Sequence, residues 1–380
     1  MSGRDGLAPL LESPGRWTWA YVDGHGDAPQ PAEHSKRRSI VDRLRDTGAP
    51  DADVDAIDAA LEDGEGVPSP SSRYLLARDG AVELDERFVG VRLGPELLGH
   101  GPVPPVLPLL RHRAADLRYL VVETGREGAS LRLVRSQRVG VEGAAAIEGR
   151  TDSLPKVQAG GWSHLRYQMH SEDIWKHNQS DVADAVDQLV REHRPRFVVV
   201  AGDIRARQLL LDELAPASRE LVIDVDAHTR ADGADDEALR RAVAEAVEQH
   251  IEAEVAGALD RAAANDGELG AQGLDDVVAA LQEAKVDTLL LDARFLDAEQ
   301  TLIALDGAPW VARSQDDALG AGVVAALPLH EALARAAILS GASVLVLEEP
   351  EAPADAPRSN RETRPPIALL RWADQGDAGS

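Results

Sequence analysis

The run FVVVAG at 197–202 constrains the 380-residue chain more than any other stretch. An unbroken apolar segment of strand length that ends in Gly, with the helix-forming IRARQLLLDEL behind it, suits a strand buried on both faces. Such strands are parallel and lie between helical layers. The flanking sequence keeps the same alternation. LRYLVVETG (117–125) and SLRLVRSQRV (130–139) predict two strands about a Gly-containing turn, RELVIDVD (219–226) predicts another, and 234–262 reads as a long acidic helix. A further helix is predicted over 163–193, where Trp175, Val182, Val186, Leu189 and Val190 recur at helical spacing and form one apolar face. Residues 115–264 are therefore expected to form an α/β domain.

The chain is long enough for two or three domains, since one usually takes roughly 100 to 200 residues. Residues 1–114 are expected to form an α+β domain. RWTWAYVD (16–23) reads as a half-buried strand, 32–48 and 51–63 as helices, and SRYLLARDGAVELDERF (72–88) as a hairpin turning at Asp79-Gly80. The proline-rich GPVPPVLPLLRHR (101–113) is expected to be an irregular connection. A second α/β domain is expected over 265–380. It has helix 273–284, strand VDTLLLD (286–292), a helix, helix LHEALARAAILSG (329–341) with Gly341 at its C-cap, and strands ASVLVLE (342–348) and IALLRWA (367–373). The stretch 348–366, rich in Pro and charge, reads as a surface loop.

Composition removes several function classes. The chain has no Cys, so disulfides, thiolate zinc sites and a Cys nucleophile are excluded. No run of about 18 apolar residues occurs and the N-terminal residues lack a signal-peptide pattern, so we expect a cytoplasmic protein without a membrane partner. A formal charge of −26 argues against general nucleic-acid binding and leaves local basic patches open. There are no phosphate-loop, nucleophile-elbow or complete dinucleotide-binding motifs, and no cofactor is expected.

Two places concentrate basic or flexible residues. HSKRRSIVDR carries Lys36, Arg37, Arg38 and Arg43 against Asp42, the densest basic cluster in the sequence. It reads either as a phosphate contact or as a charged helix face. PKVQAGGWSHLRYQMH (155–170) holds the pair Gly160-Gly161, which lets a backbone approach another molecule closely, followed by Trp162. Around it Arg150, Lys156, Arg166 and Lys176 oppose Asp152, Glu172 and Asp173, with His164, His170 and His177 nearby. Arg166, His170 and His177 recur at offsets of four and seven, which suits phosphate contact or a solvated face. The histidine spacings of six and seven are not the pairing of a helical zinc motif, and no metal is expected. FVVVAGDIRAR also offers a helix N-terminus where an anion can bind.

The stretch PKVQAGGWSHLRYQMHSEDIWKHNQSDVADAV resembles the central domain of the archaeo-eukaryotic peptide chain release factor and Pelota family. In that family a Gly-Gly-Gln tip precedes a Ser, an L-R-[FY] triplet and a long helix with a late His-Asn. Gly160, Gly161, Ser163, Leu165, Arg166, Tyr167, His177 and Asn178 keep that order. FVVVAGD and, in the third region, LDDVVAALQEAKVDTLLLD, GASVLVLEE and IALLRW are similar to later family segments. The third domain of the family resembles RNA-binding ribosomal proteins. The resemblance covers about 115–380 and is to the bacterial branch, which includes ribosome hibernation factors of the Balon type. It implies a three-domain release-factor-like architecture and a ribosome partner, with rRNA and mRNA or tRNA in reach. An elongation-factor-type translational GTPase is implied as a further partner.

Two departures qualify that implication. The first region has neither N-I-K-S nor Y-x-C-x-x-x-F, so stop-codon decoding is not expected. Where the family hydrolases have Gln, this chain has Trp162. In a Gly-Gly-Gln factor the Gln backbone N–H stabilises the developing oxyanion, a contribution of about 3 to 4 kcal/mol in a preorganised site. Trp keeps that N–H but replaces a compact amide with an indole that only donates. The expectation is an A-site occupant in ribosome hibernation, with Gly160, Gly161 and Trp162 as the tip. The alternatives are a peptidyl-tRNA hydrolase that rescues stalled ribosomes and a non-ribosomal regulator on the same fold.

Overall fold

The computed structural model describes residues 6–24, 30–63, 69–114, 116–125, 128–137, 141–148, 163–226, 236–264, 269–293, 300–347 and 364–372. The fold is mixed α/β, as expected, and the chain divides into two compact units, 115–250 and 1–114 together with 251–380.

The first region contributes α1 (Leu7–Glu12), β1 (Trp17–Asp23), α2 (Gln30–Asp46), α3 (Asp51–Glu62), β2 (Ser71–Arg78), β3 (Ala81–Val89), β4 (Leu97–Gly101) and α4 (Leu107–Ala114). The antiparallel hairpin β2–β3 turns at Asp79-Gly80, both at positive φ, and the sheet runs β3-β2-β1-β4. Ala20, Val22, Leu75 and Ala77 pack under Ile40, Leu44, Val54 and Ile57 of α2 and α3. Trp17, Tyr21, Tyr74 and Leu76 point the other way, against Leu7 of α1 and Leu109 of α4. With both faces covered, β2 is buried almost throughout.

The stretch 101–113 corrects the expectation of an irregular connection: its first residue ends β4 and its last seven belong to α4. Pro108 falls in the first turn of α4, where the missing N–H has no intrahelical partner to lose. Proline content alone therefore misread it.

The middle of the chain supplies β5 (Arg118–Gly125), β6 (Gly128–Arg135), β7 (Val141–Glu148), α5 (Ser163–His193), β8 (Val198–Gly202), α6 (Ile204–Glu213), α7 (Pro216–Arg219), β9 (Val222–Asp224) and α8 (Asp236–Ala263). Its sheet has the order β7-β6-β5-β8-β9, with β5, β8 and β9 parallel and β6 and β7 antiparallel. Alternate residues of β8, with Phe197 just before it, serve opposite cores, as a two-sided strand requires. Val198 and Val200 pack with Val182 and Val186 of α5 and Leu210 of α6, while Phe197 and Val199 pack with Leu239 and Ala246 of α8.

The last region adds β10 (Gly270–Gln272), α9 (Leu274–Gln282), β11 (Val286–Asp292), β12 (Thr301–Leu305), β13 (Val311–Ala312), β14 (Val323–Pro328), α10 (Leu329–Leu339), β15 (Ser343–Leu347) and β16 (Ile367–Leu370). One sheet runs β10-β16-β11-β15 and a second runs β13-β12-β14. That second sheet corrects the helix expected between 292 and 329. Its short strands are antiparallel and joined by turns, a pattern that apolar spacing alone does not separate from a helix. Gly341 has φ 73; its N–H donates to Ile338 O (3.0 Å) and that of Ala342 to Ala337 O (2.7 Å), closing α10 as its sequence suggested. Most of 348–366 lies outside the described residues.

The first and last regions share one core, in which Leu11, Val106 and Leu107 pack among Val277, Leu281, Leu289 and Leu333. A polar contact adds to it. Glu331 of α10 accepts from the backbone N–H of Val106 (2.7 Å) and Leu107 (3.4 Å), capping α4 from another part of the chain. Burial of its carboxyl pushes its pKa up from 4.5 to about 7, against the lowering effect of those two N–H donors. A carboxyl with a raised pKa contributes stability that is fully present below its unfolded value and is lost as pH rises through the folded value. Glu331→Gln keeps one acceptor and cannot ionise. Its stability relative to the native chain should therefore increase between about pH 5 and about pH 8 in urea unfolding; a constant difference over that range would show that Glu331 does not ionise there.

Candidate functional site

The helix that bears the candidate tip is seated by apolar and polar contacts at once. α5 is 31 residues long. Val182 and Val186 are fully buried against the sheet, Ala183 nearly so, and Leu189, Val190 and Trp175 are partly buried, so the face expected from spacing is the face that packs. One turn before Val182 the same face turns polar, with Asn178 and Gln179 buried. Gln179 Oε1 accepts from Thr124 Oγ1 (2.8 Å) and its Nε2 donates to Gly125 O (2.9 Å). Both partners stand at the C-terminal end of β5, so one amide side chain ties α5 to the end of the strand.

The next strand closes on the same point. Gly202, at φ 119, lies so near Thr124 that a Cβ would fall 1.9 Å from the Thr124 carbonyl oxygen. The N–H of Asp203 donates to that same carbonyl (3.1 Å). The Gly of FVVVAG is thus required by the approach of two strands. The N-terminus of α6 is occupied as well, because Asp203 Oδ1 accepts from the N–H of Arg205 (3.0 Å) and Ala206 (3.2 Å). With a carboxylate already capping those amides, this terminus does not serve as the anion site that its sequence suggested. On the far side of α6, buried Arg207 pairs with Asp224 and Asp226 (2.9 Å each) and ties the helix to the end of β9.

The expected site residues fall into three groups. Gly160, Gly161, Trp162 and Lys156 lie outside the described residues. His164, Arg166 and His170 belong to the first turns of α5, and positions 166, 170 and 177 fall within about 40° of one another around an ideal helix. Lys176 and His177 are exposed, and Lys176 Nζ lies 3.6 Å from Glu213 Oε1, a solvent-screened pair. The α2 cluster is largely engaged within the fold. Lys36 Nζ donates to the carbonyls of Asp23 (3.1 Å) and Gly24 (3.3 Å), Arg37 pairs with Asp58 (3.0 Å) and Glu62 (3.2 Å), and Arg43 pairs with Glu96. Arg38 is exposed on the same helix.

Among the described residues no group of His, Cys, Asp or Glu is arranged to hold a metal ion, and no helix is long and apolar enough to cross a membrane. Of the supporting trio Thr124, Gln179 and Gly202, only the glycine was noted from sequence, as the end of FVVVAG; Thr124 and Gln179 were not. One signal was present: Gln179 stands three and seven residues before Val182 and Val186, a polar residue on an apolar stripe.

Residues 118–268, which span β5 through the end of α8, match the family model described as bacterial archaeo-eukaryotic release factor family 2. This part of the chain is similar to the bacterial archaeo-eukaryotic release factors. The uncharacterized protein Rv2629 of Mycobacterium tuberculosis is similar over the whole length, 26% identical across 98% of this chain and 97% of the relative. Similar solved structures include Archaeoglobus fulgidus Pelota, 17% identical over 98% of this chain and 94% of that one, with a TM-score of 0.35. Another is S. cerevisiae Dom34, a translation termination-like factor that interacts with Hbs1, 11% identical over 80% of this chain and 81% of that one, TM-score 0.39.

The buried amide on α5 gives a direct test. Gln179→Ala strips two hydrogen bonds and leaves the Thr124 hydroxyl and the Gly125 carbonyl without their partner. Unfolding in urea should show a loss of about 2 to 4 kcal/mol; a change under about 0.5 kcal/mol, the usual size for a surface substitution, would mean that the network does not anchor α5.

Proposed function

We propose that the protein is a ribosome-binding, release-factor-like translation factor that occupies the A site of ribosomes in hibernation, and that its tip does not work as an efficient esterase. The observation that carries the reading is the family match across the tip-bearing helix combined with the tip sequence Gly160-Gly161-Trp162 where the family hydrolases carry Gly-Gly-Gln. An indole in place of the compact amide removes the side-chain acceptor and fills the space that a water nucleophile needs. It adds a flat aromatic face that stacks on an RNA base for about 1 to 3 kcal/mol.

The seating of α5 supports a positioning role. A tip that docks into an RNA cavity has to be held at a set angle, and a helix fixed by two buried valines and a buried amide meets that need. In this reading a translational GTPase of the elongation-factor type is the delivering partner, and rRNA with tRNA or mRNA lines the docking site. The phosphate-facing residues are Lys156, His164, Arg166, His170, Lys176 and His177 around the tip, with Arg38 on α2.

Purified ribosomes that carry peptidyl-tRNA distinguish the docking reading from a hydrolase that rescues stalled ribosomes. The chain should bind them without fast peptide release. Rapid release that depends on Gly160 and Gly161 would overturn the docking reading in favour of the hydrolase, and failure to co-sediment with ribosomes would point to a non-ribosomal regulator. Trp162→Ala should weaken co-sedimentation by roughly 5- to 150-fold, the range set by loss of one stacked base.

Within α2 the same assay should separate two kinds of arginine. Arg38→Glu is expected to lower ribosome affinity and leave thermal unfolding unchanged. Arg37→Glu, which sets a carboxylate against Asp58 and Glu62, is expected to lower the unfolding midpoint. Equal effects of the two variants on both readouts would refute the distinction.

A further inference from the structure

The end of α5 remote from the tip carries a feature that the reading above does not use. Arg191 sits in the last turn, Arg194 is the first residue past the helix, and Arg196 leads into β8. All three are exposed, and none makes a side-chain hydrogen bond or ion pair among the described residues. That is unusual for this unit, where arginines are paired. Arg118 and Arg135 share Glu142, Arg135 also reaches Asp116 (2.7 Å), Arg132 reaches Glu123 (2.7 Å), and Arg207 holds Asp224 and Asp226. Residues 191–196 hold three Arg against one acid, Glu192, a local balance of +2 in a chain of −26. Glu192 Oε1 meanwhile accepts from Gln188 Nε2 (2.8 Å).

The backbone beneath these arginines is pinned. Arg194 has φ 47, a left-handed conformation that Gly normally supplies at a helix end, and its N–H donates to Val190 O (3.0 Å). Pro195 is buried, and the N–H of Arg196 donates to Arg118 O (2.8 Å). A favourable interaction with the helix dipole accounts for cations at 191 and 194. It does not account for Arg196, which lies beyond the helix, nor for the use of Arg where Gly fits the backbone better. Guanidinium is the cation whose planar fork matches phosphate oxygens.

We propose that Arg191, Arg194 and Arg196 form a binding site for the phosphate backbone of RNA. The proposal rests on the ribosome-binding reading and deepens it. A helix of 31 residues is about 45 Å long, so this site and the tip-bearing end form two contacts far apart on one rigid rod, which together fix its direction on the ribosome.

The test compares the full chain with the triple variants Arg191→Glu/Arg194→Glu/Arg196→Glu and Arg191→Lys/Arg194→Lys/Arg196→Lys. Each is assayed by co-sedimentation with bacterial ribosomes and by filter binding to protein-free ribosomal RNA across a salt series. Charge reversal should lower both affinities at least about tenfold and reduce the slope of log K against log salt by about two to three, the release expected for three phosphate contacts. The lysine variant should keep most of the binding, and all three proteins should melt alike, which separates RNA contact from a role in helix stability. Unchanged affinity and slope in both assays would overturn the proposal. Loss on ribosomes with undiminished binding to protein-free RNA would also overturn it, because the contact would then be an acidic ribosomal protein. If the native chain fails to co-sediment with ribosomes, the ribosome reading falls and the RNA assay alone decides the arginine site: salt-dependent binding lost on charge reversal sustains it, and its absence rejects it.

Discussion

The approach of Gly202 to the carbonyl of Thr124 is the contact around which the central unit is arranged. Only a residue without a Cβ lets the ends of β5 and β8 come that close. Because they do, the Thr124 hydroxyl and the Gly125 carbonyl meet Gln179, and the long helix α5 acquires a polar anchor beside its buried valines. The same approach lets Asp203 bond to Thr124 and cap α6. A cluster at the C-terminal ends of the parallel strands β5 and β8 thus decides where a helix about 45 Å long is held.

Electrostatics follows a related logic. A chain of −26 can still meet RNA if its positive charges are left unspent at chosen points. Most of the described arginines are committed to carboxylates or carbonyls. Arg37 and Arg43 of α2 bind α3 and the loop before β4, and those of β5 and β6 bind Glu142, Asp116 and Glu123. What remains for a partner is a smaller set than the sequence offers, and it sits on the surface of helices and helix ends. Glu331, whose carboxyl is buried, shows the converse case, an acidic group used as a cap where first and last regions share a core.

The elements carried by a single strong period were legible: the strand β8, the helix α5 with its apolar face, the Asp79-Gly80 hairpin and the C-cap at Gly341. Two misreadings have one cause. At 101–113 a count of prolines hid a helix whose Pro occupies the first turn, and between 292 and 329 short antiparallel strands imitated helical spacing. In both, the deciding factor was a partner elsewhere in the chain, Glu331 and the hydrophobic core for α4 and the neighbouring strands for β12.

By itself the sequence determined the α/β class, the strands and helices of the middle of the chain apart from β7 and α7, and the likeness of 118–268 to the bacterial archaeo-eukaryotic release factors. These are properties of local spacing and residue order, and they survive without knowledge of what packs on what. Tertiary structure alone decided that Gln179 anchors α5 to the end of β5 and that Arg37 and Arg43 are held by Asp58 and Glu96. It also left Arg191, Arg194 and Arg196 unpaired among the described residues. Charge pairing and polar burial join residues far apart in the chain, and a linear pattern carries no record of distance in space.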